Sequence, residues 1–279
     1  LSEHKKLLKI KICLEEIDMK ILECKFNQFK CWLLKENKRS KKVIIMLPEY
    51  YSDALEKMRK NIKKYKVLND TDFILLGFER GFSLEKLSKE IRKLILKIKI
   101  KYDTVNIIAN SKAGIVSLKL MEILDEDCYE KIINIAVPYK GTPLVEPKKM
   151  KNILYNKQIL GFKYGKRLYQ FYLKNFDGDY ADKMIRKNSP ELKKINFKIN
   201  KKKFINIIVK STSLELIVDF FKLNFESCCL YFIDKIIKLE GDGIIPIESQ
   251  KIDEKGIIEM IIQGTHRTGV KKAIKKFLK

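Results

Sequence analysis

Six short runs of consecutive apolar residues, separated by stretches with helical periodicity, constrain the fold of this chain more than any other feature. The runs lie at 43–47, 73–76, 105–109, 132–137, 204–209 and 257–262. Uninterrupted apolar runs of this length are typical of strands buried on both faces of a sheet. Segments with a repeat of 3.6 residues lie at 53–65, 83–98, 113–124 and 270–278. Strands that alternate with helices predict a parallel α/β sheet with right-handed crossovers.

The region before the first of these runs has a different pattern. Apolar and polar residues alternate in short bursts at 8–12, 17–21 and 29–33. An alternation of period two is typical of half-exposed antiparallel strands. We therefore expect an α/β fold with a mostly parallel central sheet, N-terminal antiparallel hairpin strands, and helices on both faces of the sheet.

The length of the chain fits one domain with an insertion. Single α/β domains often reach about 250 residues, so we expect residues 1–279 to form one domain. The long stretch at 141–200 is rich in Tyr, Phe, Lys and Asn, and 213–239 is apolar enough for one or two helices. Loops of this length are usually lids or small inserted subdomains. We expect 141–200 to be a helical cap over the carboxyl ends of the strands.

The net charge of +24 raises nucleic acid or an anionic membrane as a partner. Only seven of the 59 basic residues are Arg, the side chain favoured for bidentate phosphate and base contacts, and the lysines are spread along the whole chain. A specific nucleic-acid partner is therefore not expected. Peripheral contact with an anionic membrane stays open.

The cysteines and the first twenty residues indicate a cytoplasmic protein. The six cysteines have neither CxxC nor Cys/His ligand spacing, so we expect reduced, mostly buried thiols and no bound metal. Residues 1–20 carry charges every two or three positions, which leaves no apolar core for a signal peptide. No apolar run approaches the roughly 18 residues of a membrane span.

Ser111 is the candidate nucleophile. It follows the β-branched strand 105–109, precedes a predicted helix, and is flanked by the small residues Ala109 and Ala113. A serine at a sharp strand-to-helix turn projects its hydroxyl above the sheet, and small neighbours are needed because the backbones crowd there. The alternative is a serine that caps a helix.

The partners of Ser111 follow from the small number of histidines. The chain contains only His4 and His266, and His266 comes directly after the last predicted strand, at the carboxyl edge of the sheet where ligand sites form. Asp242, between two glycines, is the candidate acid that would orient the imidazole. The alternatives are Asp219 as the acid and a solvated Asp-Gly turn at 242–243.

The order serine, aspartate, histidine is that of the α/β-hydrolases, and the chain resembles the bacterial triacylglycerol lipases and esterases of that superfamily. Residues 106–114 resemble their NxxGHSxGG elbow, 132–144 their VxxLATPHxGTPL segment, 241–246 their GDGVVP loop, 189–196 their SPFLxxLN segment, and 79–81 their DxRG segment. The resemblance implies an α/β-hydrolase fold. It also implies a serine hydrolase that cleaves small-molecule or lipid esters with Ser111, Asp242 and His266, without metal or organic cofactor.

One position departs from the family pattern. The family's strand-end HG, whose following amide helps to hold the oxyanion, corresponds to Pro48-Glu49. Because proline has no amide hydrogen, the expected oxyanion donors are the backbone N–H groups of Lys112 and Tyr50. The alternative function is therefore a non-catalytic hydrolase scaffold that binds anionic membrane or nucleic acid through its lysine-rich surface.

Overall fold

In the computed structural model the six predicted apolar runs are strands, and the amphipathic segments at 83–98, 113–124 and 270–278 are helices. The structure describes residues 20–25, 29–35, 40–47, 71–78, 83–142, 185–186, 189–195, 200–212, 215 and 240–277. The strands are β1 Lys20–Lys25, β2 Phe29–Lys35, β3 Lys42–Leu47, β4 Thr71–Phe78, β5 Thr104–Asn110, β6 Lys131–Ile135, β7 Phe204–Lys210 and β8 Ile258–Gln263. The α-helices are α1 Leu84–Lys99, α2 Ala113–Ile123, α3 Pro190–Lys194, α4 Ile247–Gln250 and α5 His266–Phe277, and a 3₁₀ turn spans Glu126–Cys128.

The sheet has the predicted mixture of strand directions. Its eight strands are hydrogen bonded in the order β1-β2-β4-β3-β5-β6-β7-β8. β2 pairs antiparallel with both β1 and β4, with Cys24 opposite Cys31 and Leu33 opposite Ile74. β3 pairs parallel with β4 and β5, and the parallel part of the sheet has six strands. The expectation of a mostly parallel sheet with an N-terminal antiparallel hairpin is confirmed.

The chain divides into two compact units, of which the first comprises residues 1–134, 197–205 and 275–279. Val43, Leu75 and Ile107 from its three neighbouring parallel strands are fully buried. The apolar face of α1 is buried at Leu87, Ile91 and Ile95, a spacing of four residues, and α1 packs against α2. The buried strands and the apolar faces of these helices make up this unit's core.

The second unit comprises residues 135–196 and 206–274. Ile207 in β7 is fully buried, as predicted. In β8, by contrast, Ile258 is 49% exposed and Ile261 is 69% exposed. The expectation that the run at 257–262 is buried on both faces is therefore wrong. The reason is that β8 is an edge strand of the sheet, and an edge strand is covered less completely than a central one.

Several predicted segments lie largely or wholly outside the described residues. These are the helix at 53–65, the stretch at 213–239, the burst at 8–12 and most of the cap at 141–200. Within the cap range the structure describes α3, whose first turn is capped by the Ser189 hydroxyl accepting the Leu192 N–H at 3.1 Å. The cap and the single-domain organisation stay predictions.

Two further findings concern membrane-spanning helices and the thiol of Cys128. Within the described part of the chain, no helix combines the length and the apolar character needed to cross a bilayer. Cys128 is a buried free thiol, and burial raises its pKa, with a smaller contribution from the carboxylate of Asp127.

A buried tyrosine–aspartate hydrogen bond lies at the start of β4 and β5. The Tyr102 hydroxyl donates to the Asp72 carboxylate, and both side chains are buried. The pKa of Tyr102 lies far above its usual value. The largest cause is burial, followed by the hydrogen bond to Asp72 and then by the negative charge of Asp72. The phenolate is thus disfavoured in the folded state relative to the unfolded chain.

The stability of the protein should therefore fall as the pH rises above about 10, where the unfolded chain releases the Tyr102 proton and the folded protein retains it. In Tyr102→Phe this alkaline loss should be smaller. The variant should also be less stable at neutral pH by about 1–3 kcal/mol, because Asp72 loses a hydrogen bond. Urea unfolding of both proteins between pH 8 and pH 11, followed by circular dichroism, measures the difference. Parallel pH dependences would contradict this account.

Candidate active site

The backbone of Ser111 is strained at the turn between β5 and α2. Its φ of 53° lies in the left-handed region, where the Cβ of an L-residue is crowded. Among the described non-glycine residues only Ala136 shares a positive φ. Ser111 is 2% exposed, and its carbonyl accepts the Gly114 N–H at 3.0 Å. A strained serine between a strand and a helix has the geometry of a nucleophile elbow, and we call residues 110–113 the Ser111 elbow.

The helix-capping alternative does not describe Ser111. The N-cap of α2 is Lys112, and no side chain caps this helix. Lys112 is fully buried at 1% exposure, and its carbonyl accepts the Ile115 N–H at 3.0 Å. As the N-cap residue it places its own N–H at the N-terminal end of α2, where the helix dipole favours negative charge. Tyr50, the second expected oxyanion donor, lies outside the described residues, as do Pro48 and Glu49.

Two buried polar side chains that sequence reasoning missed tie the first turn of α2 to β6. The Ser117 hydroxyl lies 2.8 Å from the Gly114 carbonyl oxygen and 2.6 Å from Asn134 Oδ1. Asn134 Nδ2 donates to the same Gly114 carbonyl at 3.1 Å. The available signal was Asn134 itself, a polar residue inside an apolar run, because a polar group buried in such a strand needs hydrogen-bond partners.

Asp242 lies in a tight loop at 241–246, which we call the acid loop. Its Oδ1 accepts the Ile244 N–H at 2.9 Å and the Ile245 N–H at 2.7 Å. Gly243 has a φ of 93°, which favours glycine. At Gly241 an added Cβ would lie 2.1 Å from the Ile245 carbonyl oxygen, so this position has room only for glycine. The two glycines allow the backbone to wrap around one carboxylate oxygen.

The other carboxylate oxygen holds the histidine. Asp242 Oδ2 lies 2.6 Å from His266 Nδ1, and the Asp242 carbonyl accepts the His266 backbone N–H at 2.7 Å. The Asp242 side chain is fully buried, and the imidazole is 10% exposed. The structure thus brings together two of the predicted residues, 24 positions apart in sequence. A hydrogen bond at Nδ1 leaves Nε2 as the ring nitrogen able to accept a proton.

The start of α5 fixes the backbone of His266. The helix begins at His266, four residues before the predicted start at 270. Just before it, the Thr265 N–H donates to Thr268 Oγ1 at 2.9 Å, and the Thr268 N–H donates to Thr265 Oγ1 at 3.2 Å. These reciprocal hydrogen bonds satisfy amides of the first turn. The histidine therefore occupies a defined helix position rather than a loose loop.

The other site predictions concern Ser111, Asp219 as the alternative acid, and metal binding. Ser111 belongs to the first compact unit, and the Asp242–His266 pair belongs to the second. Asp219, the alternative acid, lies outside the described residues. Within the described ranges no group of three His, Cys, Asp or Glu side chains could hold a metal ion.

Solved structures with a similar backbone identify the fold. An α/β-hydrolase fold protein from Chitinophaga pinensis is similar with a TM-score of 0.51 and 10% identity, over 94% of this chain and 98% of that chain. The propeptide form of the Bacillus licheniformis lipase BlEst2 is similar with a TM-score of 0.55 and 13% identity, over 89% of this chain and 53% of that chain. This chain has the α/β-hydrolase fold. No protein-family model and no curated protein matches the sequence.

The α/β-hydrolase fold expected from the sequence is thereby confirmed. Within that fold, the Ser111 elbow follows the carboxyl end of β5, and His266 follows the carboxyl end of β8 by three residues. Ligand sites of open α/β sheets form at the carboxyl ends of strands. The candidate residues thus occupy the kind of position at which this class of fold carries its chemistry.

The strain at Ser111 predicts an unusual stability order for two substitutions. Alanine keeps the Cβ that the left-handed backbone crowds, whereas glycine removes it. Ser111→Gly should therefore be more stable than Ser111→Ala by about 1 kcal/mol, as measured by urea unfolding at neutral pH. The reverse order, typical of a residue with ordinary right-handed backbone angles, would contradict the strained geometry.

Proposed function

We propose that the chain is a serine hydrolase that cleaves carboxylic esters. The observation that carries the proposal is the left-handed backbone of a buried serine between β5 and α2. Strain of this kind persists only where surrounding contacts hold it, and it clusters at functional sites. The hydrogen-bonded Asp242–His266 pair is the second support, because a nucleophilic serine needs a base that is itself oriented.

In the proposed mechanism Asp242 accepts the Nδ1–H of His266, which leaves the Nε2 lone pair as the base. Nε2 takes the proton from Ser111 Oγ as the oxygen attacks the acyl carbonyl. The tetrahedral intermediate expels the alcohol, which receives that proton from His266, and an acyl-enzyme remains. Water activated by His266 then releases the acid and regenerates Ser111.

The oxyanion donors proposed for this reaction are the backbone N–H groups of Lys112 and Tyr50. The Lys112 amide is supported by its place at the N-cap of α2, directly after the proposed nucleophile. Loss of one such donor costs about 10²–10³ in kcat.

The proposed substrates are small-molecule or lipid esters. One structural neighbour is a lipase, and esters are accordingly the first substrates to test. Thioester hydrolysis and acyl transfer use the same nucleophile and base. The apolar and aromatic composition of 141–200 is compatible with a pocket for an acyl chain.

Ser111→Ala should lower kcat for p-nitrophenyl esters by at least about 10³-fold and abolish labelling by a fluorophosphonate probe, because both require the Oγ nucleophile. The matched control is Ser88→Ala in α1, which removes another buried hydroxyl and should keep both activities. Hydrolysis and gel fluorescence of the purified variants measure the two effects.

Two results would contradict the proposal. Labelling of Ser111→Ala at the wild-type level would place the nucleophile elsewhere. An unlabelled wild-type protein that binds anionic vesicles or DNA in a salt-sensitive way would favour the alternative, a non-catalytic scaffold that uses its lysines.

The acyl-chain preference distinguishes a lipid-type pocket from a small-ester pocket. A pocket that buries the chain should raise kcat/KM by up to about fourfold for each added methylene, since burial of one CH₂ contributes about 0.8 kcal/mol. A series of p-nitrophenyl esters from acetate to decanoate measures this slope at substrate concentrations below micelle formation. A flat or falling series would exclude a lipid-type pocket and leave short esters as the substrate class.

A further inference from the structure

We propose that Gln250 is a positioning residue, one that holds the acid loop in the shape that presents Asp242 to His266. The inference deepens the proposed function and rests on it for its catalytic consequence. Its structural part concerns only the second unit, to which Gln250, the acid loop and His266 all belong.

The Gln250 side chain is completely buried and makes three hydrogen bonds. Its Oε1 accepts the Val209 N–H at 2.7 Å, and its Nε2 donates to the Val209 carbonyl at 3.0 Å. Nε2 also donates to the Ile245 carbonyl at 2.9 Å. The amide thus engages both backbone groups of one β7 residue, much as a neighbouring strand does, and joins that residue to the acid loop.

A continuous series of hydrogen bonds leads from Gln250 to the imidazole. Gln250 fixes the carbonyl of Ile245, and the N–H of Ile245 donates to Asp242 Oδ1 at 2.7 Å. The Asp242 N–H in turn approaches the same Ile245 carbonyl at 3.3 Å. Asp242 Oδ2 then holds His266 Nδ1 at 2.6 Å. Displacement of Ile245 would therefore move the carboxylate away from the histidine.

The need for such an anchor follows from the course of the chain. Residues 211–241 separate the end of β7 from Asp242. The covalent connection to the strand therefore does not fix the position of the Asp242 carboxylate. The Ser211 N–H and hydroxyl both donate to the Gly241 carbonyl at 2.8 Å, which fixes the entry of the acid loop. Gln250 fixes the other end of the acid loop, at the Ile245 carbonyl.

The backbone of Gln250 is itself held in place. α4 is only four residues long and has little stability of its own. Asn206 Nδ2 in β7 donates to the Gln250 carbonyl at 2.8 Å. The Gln250 N–H donates to the Pro246 carbonyl at 3.2 Å. A glutamine fixed at both its backbone and its side chain can transmit the position of β7 to the acid loop.

The test uses the full chain and the variant Gln250→Met, which keeps the length of the side chain and removes its amide. Because the chain contains only His4 and His266, ¹⁵N-histidine labelling gives the signals of two imidazole rings, and His4→Gln assigns them. The readouts are the low-field Nδ1–H resonance and the ring tautomer of His266, followed by kcat and KM for an ester. Ile274→Ala is the control, since it opens a buried cavity in α5 without removing a hydrogen bond on the path to Asp242.

Gln250→Met should lose or shift the low-field resonance, mix the His266 tautomers, and lower kcat by about 10–10²-fold with KM within about twofold. Ile274→Ala should keep the resonance and its kcat at a comparable loss of thermal stability. Equal effects in the two variants, or an unchanged resonance in Gln250→Met, would overturn the proposal.

If Gln250→Met does not fold, Gln250→Leu removes the same amide, and the His266 resonance should again be lost or shifted. In the wild-type protein the Gln250 side-chain amide protons should exchange with solvent as slowly as the Ile245 N–H, and fast exchange would overturn the proposal. The resonance experiment does not involve Ser111. An inactive, unlabelled wild-type protein whose His266 resonance still depends on Gln250 would refute the proposed function and leave the positioning role standing.

Discussion

Burial of parallel strands is the constraint on which the rest of this structure depends. Strands such as β3, β5 and β7 present apolar side chains in both directions, and a polar group buried between them costs free energy unless it is hydrogen bonded. The Ser111 elbow accordingly lies directly after the buried strand β5, and His266 lies after β8, at strand ends of the kind where ligand sites of open α/β sheets form.

Buried polar side chains support both of these turns. Asn134 holds the first turn of the helix behind Ser111, and Gln250 holds the loop that carries Asp242. Gln250 satisfies its amide with backbone groups, and Asn134 with the Gly114 carbonyl and the Ser117 hydroxyl, which avoids the cost of an unpaired buried polar atom. The same bonds fix short, otherwise weak backbone segments. Preorganisation of a nucleophile and a base requires this kind of second layer.

Much of the fold was predictable because its signals are local. Five of the six apolar runs became buried strands, and α1 begins one residue after the predicted start at 83. The sixth run became an edge strand with exposed isoleucines. The order of strands in a sheet depends on the whole chain and cannot be predicted from one segment. Asn134 was missed for a similar reason: its partners, Ser117 and Gly114, are distant in sequence from it.

The sequence by itself determined the strand–helix alternation, the serine between small residues, and Asp242 and His266 as candidates for acid and base, because glycines and a near absence of histidine restrict the alternatives. Only the tertiary structure decided that Ser111 adopts a left-handed backbone and that Asp242 contacts His266 at 2.6 Å. Backbone strain and long-range hydrogen bonds depend on contacts made after the chain has packed. No local propensity encodes them.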